Sequence, residues 1–91
     1  MSEENTTESL FEFPCQFPIK ALGKTSATLD IVIIEIVRRH VDDIHETAIK
    51  SKPSKGGKYT AVTITIEASS KQQLDAIYQD LTDCSEVIMA L

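Results

Sequence analysis

The clearest pattern in the chain lies between Tyr59 and Ala68. Val62, Ile64, Ile66 and Ala68 alternate with Ala61, Thr63, Thr65 and Glu67. This period of two, with its β-branched content, predicts a strand with one aliphatic face and one Thr-rich face. A second alternation sets Phe17, Ile19 and Ala21 against Pro18, Lys20 and Leu22. It predicts a first strand with Pro18 near its start, where a missing N–H is tolerated, and Gly23 at its end. Glu46–Ser51 and Glu86–Leu91 read as two shorter strands, with Thr47 and Ile49 sharing a face of the former. Two segments change period. Leu29, Val32, Ile33, Ile36, Val37, His40 and Val41 fall at helical intervals behind Ser26, an N-cap candidate. Ile31 and Ile34 widen that apolar face until it needs cover or a partner. Leu74, Ile77, Tyr78 and Leu81 form one stripe, with Ser69 or Ser70 as cap and Gln72 or Gln73 closing a capping box. Lys52-Pro53-Ser54-Lys55-Gly56-Gly57-Lys58 is turn-forming.

The order is therefore β-α-β-β-α-β, with a hairpin between the middle strands. Right-handed crossovers turn this order into an α+β, ferredoxin-like sandwich. It has a four-stranded antiparallel sheet, strand order 4-1-3-2, with both helices on one face. The other face, including Leu22, Ala61, Thr63 and Thr65, stays uncovered.

Composition narrows the classes. With 91 residues there is room for one domain and a thin core, so a deep enclosed reaction centre is not expected. The net charge of −5 is unevenly placed. Glu3, Glu4, Glu8 and Glu12 account for most of it, while residues 13–91 hold nine basic and ten acidic residues. The chain divides into an acidic tail over 1–12, expected to be a solvating, mobile end, and a single near-neutral domain over 13–91. The apolar runs are too short for a membrane span, and the acidic start lacks the features of a secretory signal. A cytoplasmic protein away from the membrane is the expectation. Cys15 and Cys84 belong to no C-x-x-C pair; Cys15 is expected just before the first strand and Cys84 just before the last, at opposite ends of that antiparallel pair, so two free thiols are expected.

The residues capable of chemistry do not form a catalytic set. His40 and His45 are five apart, not the four that places two imidazoles on one helix face, so no metal site is expected. His40 suits a helix C-terminus instead. Neither cysteine has a placed base. No cofactor motif is present, and a non-catalytic protein is expected. Lys50, Lys52, Lys55 and Lys58 make one local positive feature. With Ser54, Gly57 and Tyr59, the residues Lys52, Lys55 and Lys58 form a candidate contact for an anion or a partner. The same glycines also suit a plain hairpin tip with positive φ. Tyr59 is the one aromatic on the predicted open face of strand three, and the body is not basic, so nucleic-acid binding is not expected.

These pieces, in order, resemble the YbeD-like family of small bacterial proteins of unknown function. The matching positions are Phe11-Glu12-Phe13-Pro14, Phe17, Lys20 and Gly23, Arg39-His40, Pro53-Ser54, Gly57 and Tyr59. Val62-Thr63-Ile64-Thr65-Ile66, then Leu74, Tyr78, Leu81, Val87 and Leu91 complete the set. The resemblance implies a fold similar to ACT regulatory domains, which pair and bind small effectors near the first strand–helix turn. Carried over, it implies a homodimer, a ligand site at Gly23, Lys24 and Thr25, and a regulatory link to lipoate metabolism. The competing reading is an adaptor that contacts a protein through the open sheet or the basic hairpin.

Overall fold

The computed structural model describes residues 13–91, and the acidic stretch 1–12 lies outside the described residues. The elements are β1 (Cys15–Lys24), α1 (Leu29–Arg38), β2 (Ile49–Pro53), β3 (Tyr59–Ala68), α2 (Lys71–Asp83) and β4 (Val87–Ala90). The sheet order is β2-β3-β1-β4 with every neighbour antiparallel, as the sequence predicts. The fold is a ferredoxin-like α+β sandwich with β1 and β3 at its centre.

The alternation decides which face is buried. Ile19 and Ala21 of β1 and Val62, Ile64, Ile66 and Ala68 of β3 point to the helices and are almost fully enclosed. Leu29, Ile33, Ile36 and Val37 of α1 and Leu74, Ile77 and Leu81 of α2 meet them. Burial of a side chain of this size contributes roughly 1.5–3 kcal/mol. Among the described residues no polar or charged residue is buried. The two helices are also clasped at one end. His40 Nε2 lies 2.7 Å from Asp80 Oδ2, and Gln73 Nε2 donates to the His40 carbonyl at 2.8 Å.

Several boundaries differ from the sequence expectation. Gly23 does not end β1; the strand runs on to Lys24, and Gly23 pairs with Thr60 on one side and Val87 on the other. Cys15 opens the strand and does not precede it. The predicted strand at Glu46–Ser51 begins three residues late. Glu46–Ala48 closes a 3-10 turn, with the Ala48 N–H donating to the His45 carbonyl, and the strand is Ile49–Pro53. Pro53 is accepted because β2 is an edge strand, where a missing N–H costs no ladder bond. Ser26 is not the cap of α1. Thr28 holds that position without a side-chain cap bond, and Ser26 Oγ accepts the Thr28 N–H at 3.4 Å. His40 lies beyond α1 and is held by Asp80. The α2 cap is as expected, from one of the two serines named. Ser70 Oγ accepts from the Gln73 N–H, and Gln73 Oε1 accepts from the Ser69 N–H.

Gly23 has a packing reason. A Cβ there would overlap the Glu86 carbonyl oxygen and lie 2.7 Å from Leu29 Cδ1. Gly56 and Gly57 have open space around them but φ of 87° and 75°, the left-handed region that side chains avoid. Gly23→Ala is therefore expected to destabilise by about 2–3 kcal/mol through overpacking. Gly56→Ala is expected to cost about 1–2 kcal/mol through backbone conformation alone. Urea unfolding checks both, and equal costs would contradict the distinction.

Tyr78 ties α2 to the end of β4, its hydroxyl donating to the Leu91 carbonyl at 2.5 Å. Burial raises its phenol above the ordinary 10.0. A raised folded value means the contribution is complete below pH 10 and lost as pH climbs through it. Tyr78→Phe is expected to lose about 1 kcal/mol at neutral pH. The stability gap between wild type and variant should close in alkaline solution; a gap constant with pH would count against this account.

Candidate functional site

The two sites expected from sequence occupy one end of the sheet. Register pairs Lys24 with Tyr59 and Gly23 with Thr60. The Thr25 N–H donates to the Lys58 carbonyl at 3.0 Å, and the Thr25 and Thr60 hydroxyls share a hydrogen bond of 2.8 Å. The β1–α1 turn and the β2–β3 hairpin are thus one continuous surface. Within the hairpin, the Ser54 N–H donates to the Tyr59 carbonyl, and Ser54 Oγ accepts from the Tyr59 N–H. The Gly57 N–H donates to the Ser54 carbonyl at 2.8 Å, so this amide closes the turn and is not presented outward. Lys58 Nζ lies 5.9 Å from the Tyr59 ring centre, and Lys52, Lys55 and Lys58 are exposed. Gly23 is buried against Leu29 and Glu86, while Lys24 and Thr25 are exposed beside it and Lys24 lines a depression of about 260 Å³ with Ser26, Ser85, Glu86 and Ile88.

A second feature was missed by sequence reasoning. Thr63 of β3 stands between Lys20 of β1 and Lys50 of β2, and Ala61 stands beside Lys52. All five point away from the helices, because their neighbours Val62 and Ile64 point in. Lys20, Lys50 and Lys52 rim a shallow depression of about 290 Å³ with Ala61 and Thr63 in its lining. Lys50 and Lys52 are two apart on one strand, a visible signal, but Lys20 joins them only through the β1–β3–β2 register.

The placement of charge follows. Of the nine basic residues, Lys20, Lys24, Lys50, Lys52, Lys55 and Lys58 lie on the sheet or its hairpin. The acidic residues of the described region, apart from Glu67, lie on the helices and loops. A near-neutral sum conceals a basic sheet face backed by an acidic helix layer, and such a face steers charged partners.

The other reactive groups are dispersed. His45 is exposed with Nε2 3.8 Å from Asp43, apart from the His40–Asp80 clasp. Among the described residues no three His, Cys, Asp or Glu come close enough to hold a metal ion. Cys15 and Cys84 are free and half-buried. No helix among the described residues is long and apolar enough to cross a membrane. Phe17 packs against the core side of the sheet, which leaves Tyr59 at the end of the open face without a second aromatic from β1.

A ferredoxin-like sandwich with one bare, lysine-bearing sheet face is the class these observations define. The chain belongs to the family described as "Protein of unknown function (DUF493)", whose model matches residues 8–91. It is 48 % identical over 86 residues to a "UPF0250 protein" of Ruthia magnifica, covering 94 % of each chain. It is 43 % identical over 91 residues to one from Chromobacterium violaceum, covering all of both. The solution structure of protein HP0495 from H. pylori matches with a TM-score of 0.67 at 18 % identity, over 89 % of this chain and 85 % of that one. That likeness supports the fold.

The Thr25–Thr60 bond makes the turn and hairpin mechanically continuous. Thr25→Val should remove about 0.5–1 kcal/mol locally. Hydrogen exchange at the Ser54 and Tyr59 amides should then speed up roughly two- to fivefold. Unchanged exchange at both would show that the backbone bond from Thr25 to Lys58 suffices.

Proposed function

We propose that this chain is a non-catalytic interaction module that receives an acidic protein segment on its open sheet face. The observation that carries the reading is the convergence of Lys20, Lys50 and Lys52 on one depression with Ala61 and Thr63. Three ammonium groups around a partly apolar lining suit an extended segment that alternates carboxylates with small apolar residues. The dispersal of the histidines and cysteines supports a module without catalysis. The single aromatic on the face favours a protein segment over RNA, which calls for stacked bases.

An effector site at Gly23, Lys24 and Thr25 has less support, because Leu29 and the Glu86 carbonyl occupy the space beside Gly23. Regulation, including the link to lipoate metabolism that the resemblance implies, would on this reading act through the docked partner.

The test is an NMR titration with a synthetic decapeptide alternating Glu and Val. Amide shifts should concentrate at Lys20, Lys50, Ala61 and Thr63. Lys50→Glu/Lys52→Glu should weaken binding at least tenfold without unfolding the domain, and salt near 1 M, where screening acts within about 3 Å, should suppress it. A peptide that shifts no residue on this face, or binds the double variant equally well, would overturn the reading. Tighter binding of a poly-uridine oligonucleotide would reassign the face to nucleic acid.

A further inference from the structure

The two edges of the sheet are built differently. The β2 edge carries Lys50, Lys52 and Pro53, devices that discourage another strand from pairing there. The β4 edge has no charge from Val87 to Leu91. Ile88, Met89 and Leu91 are 57 %, 49 % and 68 % exposed, three of the four exposed large apolar side chains among the described residues. A register shift explains their crowding. Leu22 pairs with Met89 and Gly23 with Val87, so Ile88 is an extra, bulged residue. Bulges re-aim side chains. Beside them, Leu22 of β1 extends the patch across the open face.

We infer that this patch is a contact between two copies of the chain, related by a two-fold axis with their β4 strands antiparallel. Charge at the ends of the patch identifies the occupant. Lys20 is bonded through its backbone to Leu91, at one end of β4, and Glu86 precedes Val87 at the other. Both side chains are exposed, and neither forms an ion pair among the described residues. A two-fold axis through the patch brings Lys20 of each copy toward the partner's Glu86, twice over. A uniformly acidic or basic partner satisfies only one end.

The guarded β2 edge adds closure. A β4-to-β2 contact would repeat without end, whereas β4-to-β4 uses the same surface on both copies and stops at two. The patch rests on four side chains, Leu22, Ile88, Met89 and Leu91, against the roughly 20–30 residues a side of a standard interface. Association is accordingly weak and concentration-dependent.

The experiment is sedimentation velocity on the full chain over a concentration series, with circular dichroism to verify folding. The wild type should shift from 10.1 kDa toward twice that mass. Ile88→Lys/Met89→Lys should remain monomeric at every concentration. Lys20→Glu and Glu86→Lys should each weaken the dimer roughly tenfold, since each places like charges at both ends of the contact. The double variant should regain wild-type association. A mixture of the two single variants should form a heterodimer tighter than either homodimer, which a contact with any other partner would not produce. A wild type that stays monomeric throughout, folded apolar-to-lysine variants that still dimerise, or a mixture no tighter than its components would each overturn the inference.

Discussion

A slip of one residue between β1 and β3 would reverse the whole molecule. Side chains alternate across a strand, so that slip would aim Ala61, Thr63 and Thr65 at the helices and expose Val62, Ile64 and Ile66. The cost of unburying these aliphatic groups holds the register. Every other feature depends on it. The same pairing that sends Ile19 and Ala21 inward sends Lys20 and Leu22 outward, beside Thr63 and Ala61. The basic face is therefore a by-product of core formation, drawn from the alternate positions of strands whose other half is committed to packing.

The fold was largely legible because periodicity is a local property. Val62 to Ala68 and Leu74 to Leu81 carry unambiguous periods, and two crossovers leave few arrangements of four strands. The boundaries were less legible where a tertiary contact decides them. Gly23 reads as a terminator in sequence, yet its missing side chain admits Leu29 and Glu86 while the backbone stays extended. His40 reads as a helix-end cation, yet its partner Asp80 is on the other helix. Pro53 reads as a turn residue until β2 is known to be an edge.

The candidate site divides along the same line. The hairpin lysines were visible as a cluster because they are close in sequence. The depression rimmed by Lys20, Lys50 and Lys52 draws on two strands that become neighbours of β3 only in the folded sheet, so no local pattern announces it. Net charge was misleading for a related reason, because a sum over the chain has no direction. Six of the nine basic residues on the sheet or its hairpin, and nine of the ten acidic residues of the described region on the helices and loops, give a near-neutral total and a polar object.

The central position of β1 bears on how the chain folds. Its partners, β3 and β4, lie far along the chain on the same C-terminal side, so neither flank of β1 can be completed by a local turn. The β2–β3 hairpin, by contrast, closes over a few residues. Loop-closure entropy makes the pairings of β1 the costlier ones to close, because distant segments must return to it. A chain whose surface chemistry is assembled from β1 and its neighbours carries that chemistry only where these distant pairings are made.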